Sequence, residues 1–551
     1  MSLEDKDFDT LPQENDAAQS EPVAQMIGLD EENGFEGSTV FSAPTSKEKK
    51  KKRGNKKLRN ILAAAALVVI LAGAVFAIVK FIPTTEETKA ESSSSAASAL
   101  DISIASIKED DITAVSVKNA TGSYRVTPVY STATDSNGDV GKQITWYLDG
   151  VDSSLVDTTL IGGLISDVTT LKAVRIMQKD TDDLAKYGLD APAVTVQVES
   201  EDAEGYTLYL GDDSPTGDGK YAYLEGKQDV YLIDSTIVST FGKAQTAYVS
   251  VQMLTSLEKT DANADYFDSD GLLSSFDSIL LGGSAHATAI CIEPNTYATS
   301  YIPYKMTAPV KQNVLGDTGD AMLSPVKSGL MADAVYAVDP DDATVKQYGL
   351  DAPLVTIAYK IGDYSTRMWM QDAPDDGYYA VMVEGKPVIY KLLKTELGFA
   401  EYAPEQFFNN YIFLDDITTV KSITVTTATG THTYALTHGV DEDEKATLAV
   451  KCGDKTLDTD HFRSLYQYML TCYASEFTME AAPQGAAELT IAVDYVDDAR
   501  PGLTVAYKKA TDRRYHVTVD GVPLGYAFLN TVDNLIQYET QYFNGEAIPK
   551  P

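Results

Sequence analysis

The pattern of apolar and polar positions divides the chain into three regions. Residues 1–46 are polar, with few apolar residues at regular spacing. Residues 61–79 form an unbroken apolar run, and from about residue 100 short alternating stretches are interleaved with helical i, i+3, i+4 spacing. The pattern predicts a disordered tail, one long apolar helix, and a large C-terminal part made of short strands and amphipathic helices.

The apolar run is long enough to cross a membrane. Ile61–Val79 contains nineteen residues and no charge, and as a helix it would measure about 28 Å. Lys80 can extend to the interface, and Pro83 ends the helix. We therefore predict a transmembrane helix over residues 61–82, with the lipid bilayer as its partner. We do not expect a cleaved signal peptide, because its charged leader is short and here the whole basic segment and tail precede the apolar run.

The distribution of charge predicts the orientation of this helix. Residues 1–46 contain eleven acids and one base, whereas residues 47–59 contain nine bases and one acid. Bases beside a membrane helix stay in the cytoplasm. We expect a single-pass cell-membrane protein with an acidic cytoplasmic tail (1–46), a basic juxtamembrane segment (47–60) and an ectodomain outside. Residues 83–100, rich in Ser and Ala, are predicted to be a flexible linker.

The ectodomain repeats itself. The hexapeptide Tyr-Gly-Leu-Asp-Ala-Pro occurs at 187–192 and again at 348–353, each time before Tyr-rich alternating stretches and a Glu-Gly-Lys turn. The predicted fold class is α+β: tandem repeats of antiparallel meanders packed with helices. The predicted limits are 101–250 for the first repeat, 251–274 for an acidic connector, 275–410 for the second repeat, and 411–545 for a diverged third repeat that lacks the hexapeptide.

The hexapeptide itself is interpreted as a structural joint. In each copy the tyrosine ends a short helix, the glycine takes the left-handed conformation, the leucine packs onto the core, and the proline precedes the next strand. In the second copy Asp339 is the expected helix cap, with Pro340 at the first helical position. The motif residues are Tyr187, Gly188, Leu189, Asp190 and Pro192, and Tyr348, Gly349, Leu350, Asp351 and Pro353.

Composition excludes several kinds of chemistry. The net charge of -37 resides almost entirely beyond residue 59, so nucleic acid is not an expected partner. Three cysteines are too few for a disulfide scaffold, and pairing of Cys452 with Cys472 stays open. No His or Cys spacing is typical of a metal site, so we expect no metal and no cofactor. Four connector carboxylates match no known calcium loop: Asp261, Asp265, Asp268 and Asp270.

Catalysis is not expected either. The candidates for acid–base work are two pairs of adjacent carboxylates, Asp110-Asp111 and Asp415-Asp416. On a strand, adjacent side chains point to opposite faces, so neither pair would face one substrate. No nucleophile motif occurs. We therefore predict a non-enzyme without catalytic residues.

The repeated motifs resemble those of a known family. Tyr187–Pro192, Leu208–Gly211, Tyr221–Val230 and their counterparts in the second repeat are similar to bacterial membrane-anchored proteins of the domain of unknown function 4340 family. The resemblance covers most of residues 101–410 and, more weakly, 411–545. It implies a cell-envelope protein, and because some members are encoded beside ABC transporters it implies a transporter accessory role. It supplies no catalytic residues.

Three functions follow as hypotheses. The first is a non-enzymatic interaction or scaffold module, with ABC transporter subunits or other envelope proteins as partners; the 33 tyrosines against 16 phenylalanines suit a binding surface. The alternative is an ectodomain that binds a cell-wall polymer or a small ligand. The second alternative is an uncharacterised envelope enzyme.

Overall fold

The computed structural model describes residues 102–134, 140–201, 203–299, 302–441 and 446–551. The predicted tail, basic segment, transmembrane helix over 61–82 and linker lie outside these residues. Within the described residues, no helix is long and apolar enough to cross a membrane.

The first sheet has eight antiparallel strands, in the order β4-β3-β2-β7-β8-β9-β10-β6. A separate two-stranded sheet joins β1 and β5. The elements are β1 (Ile102–Ser106), β2 (Ile112–Asn119), β3 (Gly122–Thr134), β4 (Val140–Leu148), α1 (Thr158–Thr169), β5 (Thr170–Ala173), β6 (Arg175–Gln178), β7 (Val194–Ser200), β8 (Tyr206–Asp213), β9 (Gly219–Leu224), β10 (Val230–Asp234), α2 (Ser235–Phe241) and β11 (Gln252–Leu254).

The second sheet has nine strands in the order β15-β14-β13-β12-β18-β19-β20-β21-β17. The elements of this part of the chain are β12 (Ser278–Gly282), β13 (Ile290–Thr299), β14 (Ile302–Ala308), β15 (Gln312–Val314), α3 (Gly316–Lys327), β16 (Leu330–Met331), β17 (Ala334–Val338), α4 (Asp342–Gln347), β18 (Val355–Ile361), β19 (Tyr364–Asp372), β20 (Tyr378–Val383) and β21 (Lys386–Leu393), of which β16 pairs with β11 in a separate two-stranded sheet.

The third sheet also has nine strands, in the order β25-β24-β23-β22-β27-β28-β29-β30-β26. Its elements are β22 (Val420–Thr427), β23 (Gly430–Val440), β24 (Ala446–Cys452), β25 (Lys455–Leu457), α5 (Thr459–Thr471), β26 (Glu476–Phe477), β27 (Leu489–Tyr495), β28 (Leu503–Lys509), β29 (Arg514–Val519), β30 (Val522–Phe528) and α6 (Leu529–Asn544).

The three sheets share one design, and the fold is α+β. In each, a first meander and a second meander meet at the centre of the sheet, where β2 pairs with β7, β12 with β18, and β22 with β27. A helix from the connection between the meanders covers one face. The last strand of the second meander pairs with a short edge strand that follows that helix. One such sheet lies within each predicted repeat. The first and last residues given for the repeats stay predictions.

The helix α1 shows how the sequence sets these elements. The Asp157 carboxylate accepts hydrogen bonds from the backbone N–H groups of Thr159 and Leu160 and so begins the helix. Its buried side chains recur at helical spacing along one face. Leu155 and Leu171 continue the apolar spacing of this face, but Leu155 lies in a 3-10 turn and Leu171 lies in β5.

Two helices, α3 and α6, were not predicted. Gly319 and Pro325 lie inside α3 and weaken the sequence signal for a helix. In α6 the buried positions include Val532, Leu535 and Tyr542, but Glu539 occupies the buried position between them. A charged residue on the apolar face hides the periodicity.

The buried side chains form two large cores. The first sheet and α1 enclose one core of their own, whereas the second and third sheets share one continuous core. Between the latter two, the Arg500 guanidinium lies 4.8 Å from the ring centre of Tyr297 and 3.5 Å from that of Tyr495. Its Nη2 is 2.5 Å from Oδ1 of buried Asp415. Asp415 therefore holds Arg500 in place within the third unit, and the guanidinium contacts the second unit through the ring of Tyr297.

Part of the predicted acidic connector is built into the second unit. The strand β11 pairs with β16, and its residues Met253 and Leu254 are buried in the shared core. The Asp268 carboxylate accepts hydrogen bonds from the backbone N–H groups of Asp270 and Leu272, which closes a local turn. This carboxylate therefore stabilises a turn of its own chain.

Candidate binding surface beside the hexapeptides

Both hexapeptides fold as the same helix-ending turn. After the 3-10 helix Ala185–Tyr187, the Gly188 N–H donates to the Ala185 carbonyl and the Leu189 N–H to the Leu184 carbonyl. After α4, Gly349 and Leu350 repeat these two bonds. Bonds that reach back three and five residues define a Schellman motif, which satisfies the last carbonyls of a helix. The predicted left-handed glycines are observed, with φ of 67° at Gly188 and 68° at Gly349.

The start of the second helix differs from the prediction. The helix begins at Asp342, and the carboxylate of Asp341 accepts from the backbone N–H of Thr344. Asp339, the predicted cap, instead has a φ of 47° and donates its N–H to the Pro387 carbonyl. The aspartate whose carboxylate can reach a free N–H of the first turn makes the cap.

The sequence predicted that the leucines of the hexapeptides pack onto the main cores, but in the structure they do not. Leu189 and Leu350 are buried in two small clusters on the other side of their sheets. Alternation along the strands explains this separation, because Leu208 and Leu210 join the main core while Tyr209 points the opposite way. The hexapeptide thus covers the second face of the sheet.

Partly exposed aromatic side chains surround each leucine. In the first unit Tyr209 on β8 faces Tyr223 on β9, with ring centres 6.0 Å apart. In the second unit the same register holds Trp369 on β19 and Met382 on β20. We call these two surfaces the aromatic patches. They comprise buried Tyr187 with partly exposed Tyr209, Tyr221 and Tyr223 in the first unit, and Tyr336, Tyr348 and Trp369 with the aliphatic Met382 in the second.

A charged network borders the second patch. The Lys391 ammonium is 2.6 Å from Oδ2 of Asp375, which also accepts a 2.8 Å bond from the Tyr336 hydroxyl. The ammonium lies 4.2 Å from the ring centre of Tyr378. Burial and the neighbouring carboxylate raise the pKa of Tyr336 well above its ordinary range. The phenol therefore stays a neutral donor, and the patch combines ring faces with fixed polar groups.

The third unit covers the corresponding face differently. Residues 478–488 take the place of the hexapeptide, and the positions that match Tyr209 and Tyr223 are Ala506 and Thr518. The ring of buried His516 bonds the Glu480 carbonyl through Nε2 at 3.0 Å, and Lys508 Nζ donates to the Pro483 carbonyl. The aromatic patch is therefore a property of the first two units.

The other sequence candidates have structural contacts. Asp110 and Asp111 lie in a 3-10 helix before β2, where the sequence predicted a strand. Asp415 is held by Arg500 and Tyr495, whereas Asp416 caps the next 3-10 helix, so this pair does not share one substrate site. Cys452 and Cys472 are free thiols. Among the described residues, no group of three or more His, Cys, Asp or Glu could hold a metal ion.

Sequence reasoning missed a buried polar cluster in the third unit. Oε1 of fully buried Glu539 accepts from the Tyr434 hydroxyl at 2.6 Å and lies 2.7 Å from Nδ1 of His432. The His432 ring stacks on Phe543. The signal in the sequence was a lone glutamate at helical spacing among Val532, Leu535 and Tyr542. The cluster ties α6 to β23.

The comparison with protein families identifies one segment. Residues 146–264 match the model of a family described as Domain of unknown function (DUF4340). This segment belongs to the DUF4340 family. The match contains the first hexapeptide and the second meander of the first sheet, so the family predicted from Tyr187–Pro192 is confirmed there. No curated protein and no solved structure matches the chain.

Proposed function

We propose that this protein is a single-pass envelope protein whose ectodomain binds other proteins. Residues 61–82 anchor it in the cell membrane, residues 1–46 lie in the cytoplasm, and the three sheet units lie outside. The uncharged run Ile61–Val79 and the adjoining bases support this orientation.

The aromatic patches carry the proposal. Aromatic side chains with one polar end are enriched in protein interfaces, because they bury a large area while losing little conformational freedom. Tyr209, Tyr223 and Trp369 are only partly buried, although a sheet needs no aromatic residue at these positions, as Ala506 and Thr518 of the third unit demonstrate. Two such patches on one chain suit a scaffold that binds a partner at two places.

The partners we propose are ABC transporter subunits or other envelope proteins, with no enzymatic activity of the chain itself. This assignment rests on the neighbourhood of DUF4340 family members. In the proposed orientation the aromatic patches lie outside the cell membrane. The surface of the partner that contacts them must therefore also lie outside the membrane.

The test is co-purification of the full-length chain from membranes in mild detergent. We expect an envelope protein to be recovered with the native chain, and the doubly substituted Tyr209→Ser, Trp369→Ser chain to recover about fivefold less or lower still. Ala506→Ser, at the matching register of the third unit, is the control and should leave recovery unchanged. Recovery of the chain alone, or equal recovery with all three chains, would contradict the proposal.

Binding of a cell-wall polymer is the alternative, favoured by the near-parallel Tyr209 and Tyr223 rings, whose planes differ by 19°. Such a ladder offers two flat apolar faces to an extended ligand. Sedimentation of the full-length chain with purified cell wall tests it, and loss of sedimentation in Tyr209→Ser would favour the polymer over a protein partner.

A further inference from the structure

The three sheets differ at one edge. In the second and third units a short strand is added outside the first meander: β15 beside β14, and β25 beside β24. In the first unit the corresponding strand β4 ends the sheet, and β3 is its one partner among the residues that the structure describes.

The added strand has a fixed place in the chain. It occupies the three residues before the residue that caps the following helix: β15 ends at Val314 before Leu315, and β25 ends at Leu457 before Asp458. In the first unit Asp157 is that cap, so residues 154–156 stand where an added strand would be.

A local turn diverts these residues from the edge. The Asp152 carboxylate accepts from the backbone N–H of Ser154 at 2.8 Å and from its hydroxyl at 2.7 Å, which holds Ser153–Leu155 as a 3-10 helix. Val156 forms a bridge with Val249, as Val314 does with Phe408, but within the described chain neither it nor its neighbours bond to β4. Among the described residues, the outer edge of β4 therefore lacks the strand that its two counterparts have.

The backbone of β4 is arranged to accept that strand. The Asp149 N–H donates to the Arg125 carbonyl at the end of the β3–β4 ladder, which runs without a bulge. Hydrogen-bonded pairs alternate along an antiparallel ladder, so the N–H groups of Ile144 and Trp146 point away from β3. Val129 of β3, opposite Thr145 of β4, is 50% exposed, so apolar surface stays open on one face at this end of the sheet.

We propose that the β4 edge binds an extended, cationic segment of a partner protein as a ninth strand of the first sheet. Main-chain hydrogen bonds at a free edge supply affinity, and neighbouring side chains supply specificity. The carboxylates beside this edge set the charge of the occupant. Glu109 accepts from Nε1 of Trp146 at 2.8 Å, while Asp152 and Asp149, the latter also 3.8 Å from Nε of Arg125, follow β4 and are exposed. A second copy of this acidic chain would be repelled.

This surface is separate from the aromatic patches, and its biological use rests on the proposed function, since it gives the interaction module a second contact and a partner chemistry. The two proposals fail separately. If co-purification succeeds and depends on Tyr209 and Trp369, while the β4 edge binds no strand, only the strand proposal is lost.

The experiment uses the full-length chain in detergent and a labelled synthetic peptide as long as β4, nine residues, with lysine alternating with valine or threonine. A second peptide carries glutamate in place of lysine. We expect the lysine peptide to bind at least about tenfold more tightly than the glutamate peptide. Ile144→Pro removes an outward N–H and should weaken binding by about tenfold or more, whereas Ile144→Ala changes the side chain alone and should weaken it by less than about threefold.

Hydrogen exchange provides a measurement that needs no variant, so it decides the matter even if Ile144→Pro does not fold. The lysine peptide should slow exchange at Ile144 and Trp146, and should leave Tyr304–Met306 unchanged because β15 already pairs there. Three results would overturn the proposal. The first is equal binding of the lysine peptide to the native and the Ile144→Pro chains. The second is slow exchange at Ile144 without peptide in a monomeric chain, because the protein's own N-terminal residues would then occupy the edge, and the third is a dimer that Ile144→Pro abolishes.

Discussion

The first two units and the third solve the same packing problem with different chemistry. In each sheet the last strands of the second meander need cover on the face opposite the main core. The first two units use the hexapeptide turn, with Leu189 or Leu350 inserted among aromatic rings. The third uses residues 478–488 and polar bonds from His516 and Lys508. The fold therefore requires a cover, while the hexapeptide is one way to supply it.

The two hexapeptide copies also differ from each other at one close contact. In the first unit Gly211 of β8 lies against the carbonyl of Tyr187, so close that a Cβ at this position would overlap the oxygen. At the same register in the second unit stands Gln371, whose side chain reaches toward the Ala352 carbonyl at 3.4 Å. Identical hexapeptides thus contact different residues at the same register of their sheets.

The largest expected effect comes from filling this contact. Gly211→Ala should destabilise the first unit by about 3 kcal/mol, because the methyl group meets backbone that cannot yield. Gln371→Ala, the matched change in the second unit, should cost about 0.5 kcal/mol or less. Native-state hydrogen exchange of β8 and β19 amides measures both, since a chain with two cores need not unfold in one step. Equal effects would mean that the copies sit alike.

Next in size is the left-handed glycine. Gly349→Val should lower the stability of the ectodomain by about 1–3 kcal/mol, because a β-branched residue at φ of 68° is strained. Membrane insertion should be unaffected. Gly349→Asn, which tolerates this conformation, is the control and should cost less than about 1 kcal/mol. An unchanged melting temperature for the valine chain would contradict the interpretation of the hexapeptide as a joint.

A smaller effect is expected in the third unit. His516→Ala removes the bond to the Glu480 carbonyl and should cost about 1 kcal/mol, since Nδ1 of the same ring has no partner and its burial already offsets part of the gain. Exchange should accelerate at residues 478–480 and stay unchanged around Leu350. If His516→Ala has no effect on this segment, the polar cover proposed for the third unit is wrong.

The smallest effect tests whether the hexapeptide has a role beyond stability. Asp190 and Asp351 are exposed, so Asp190→Asn and Asp351→Asn should each change stability by less than about 0.5 kcal/mol. Calorimetric unfolding of the two chains measures this. A loss of partner recovery without a loss of stability would assign these carboxylates to the binding surface.

Local signals in the sequence were sufficient for much of the fold. The alternating stretches after the first hexapeptide fold as β7 and β8, as predicted, and the glycine after each short helix predicted the left-handed turn. The helix α6 was missed because Glu539 interrupts its apolar face, and only the approach of Tyr434 and His432 from β23 makes that glutamate compatible with burial. Asp415 was considered only as one of two adjacent carboxylates, because its partner Arg500 lies far along the chain.

The sequence by itself determined the repetition, the antiparallel α+β class and the turn at each hexapeptide, because these depend on residues that are neighbours in the chain. The tertiary structure decided which face of the sheet the hexapeptide covers and which aromatic rings gather there. It also decided that, in the part of the chain that the structure describes, one of three equivalent edges has no added strand. Those features depend on register and on contacts between distant segments. A pattern of apolar and polar positions encodes the alternation of faces, but not which distant segment covers each face.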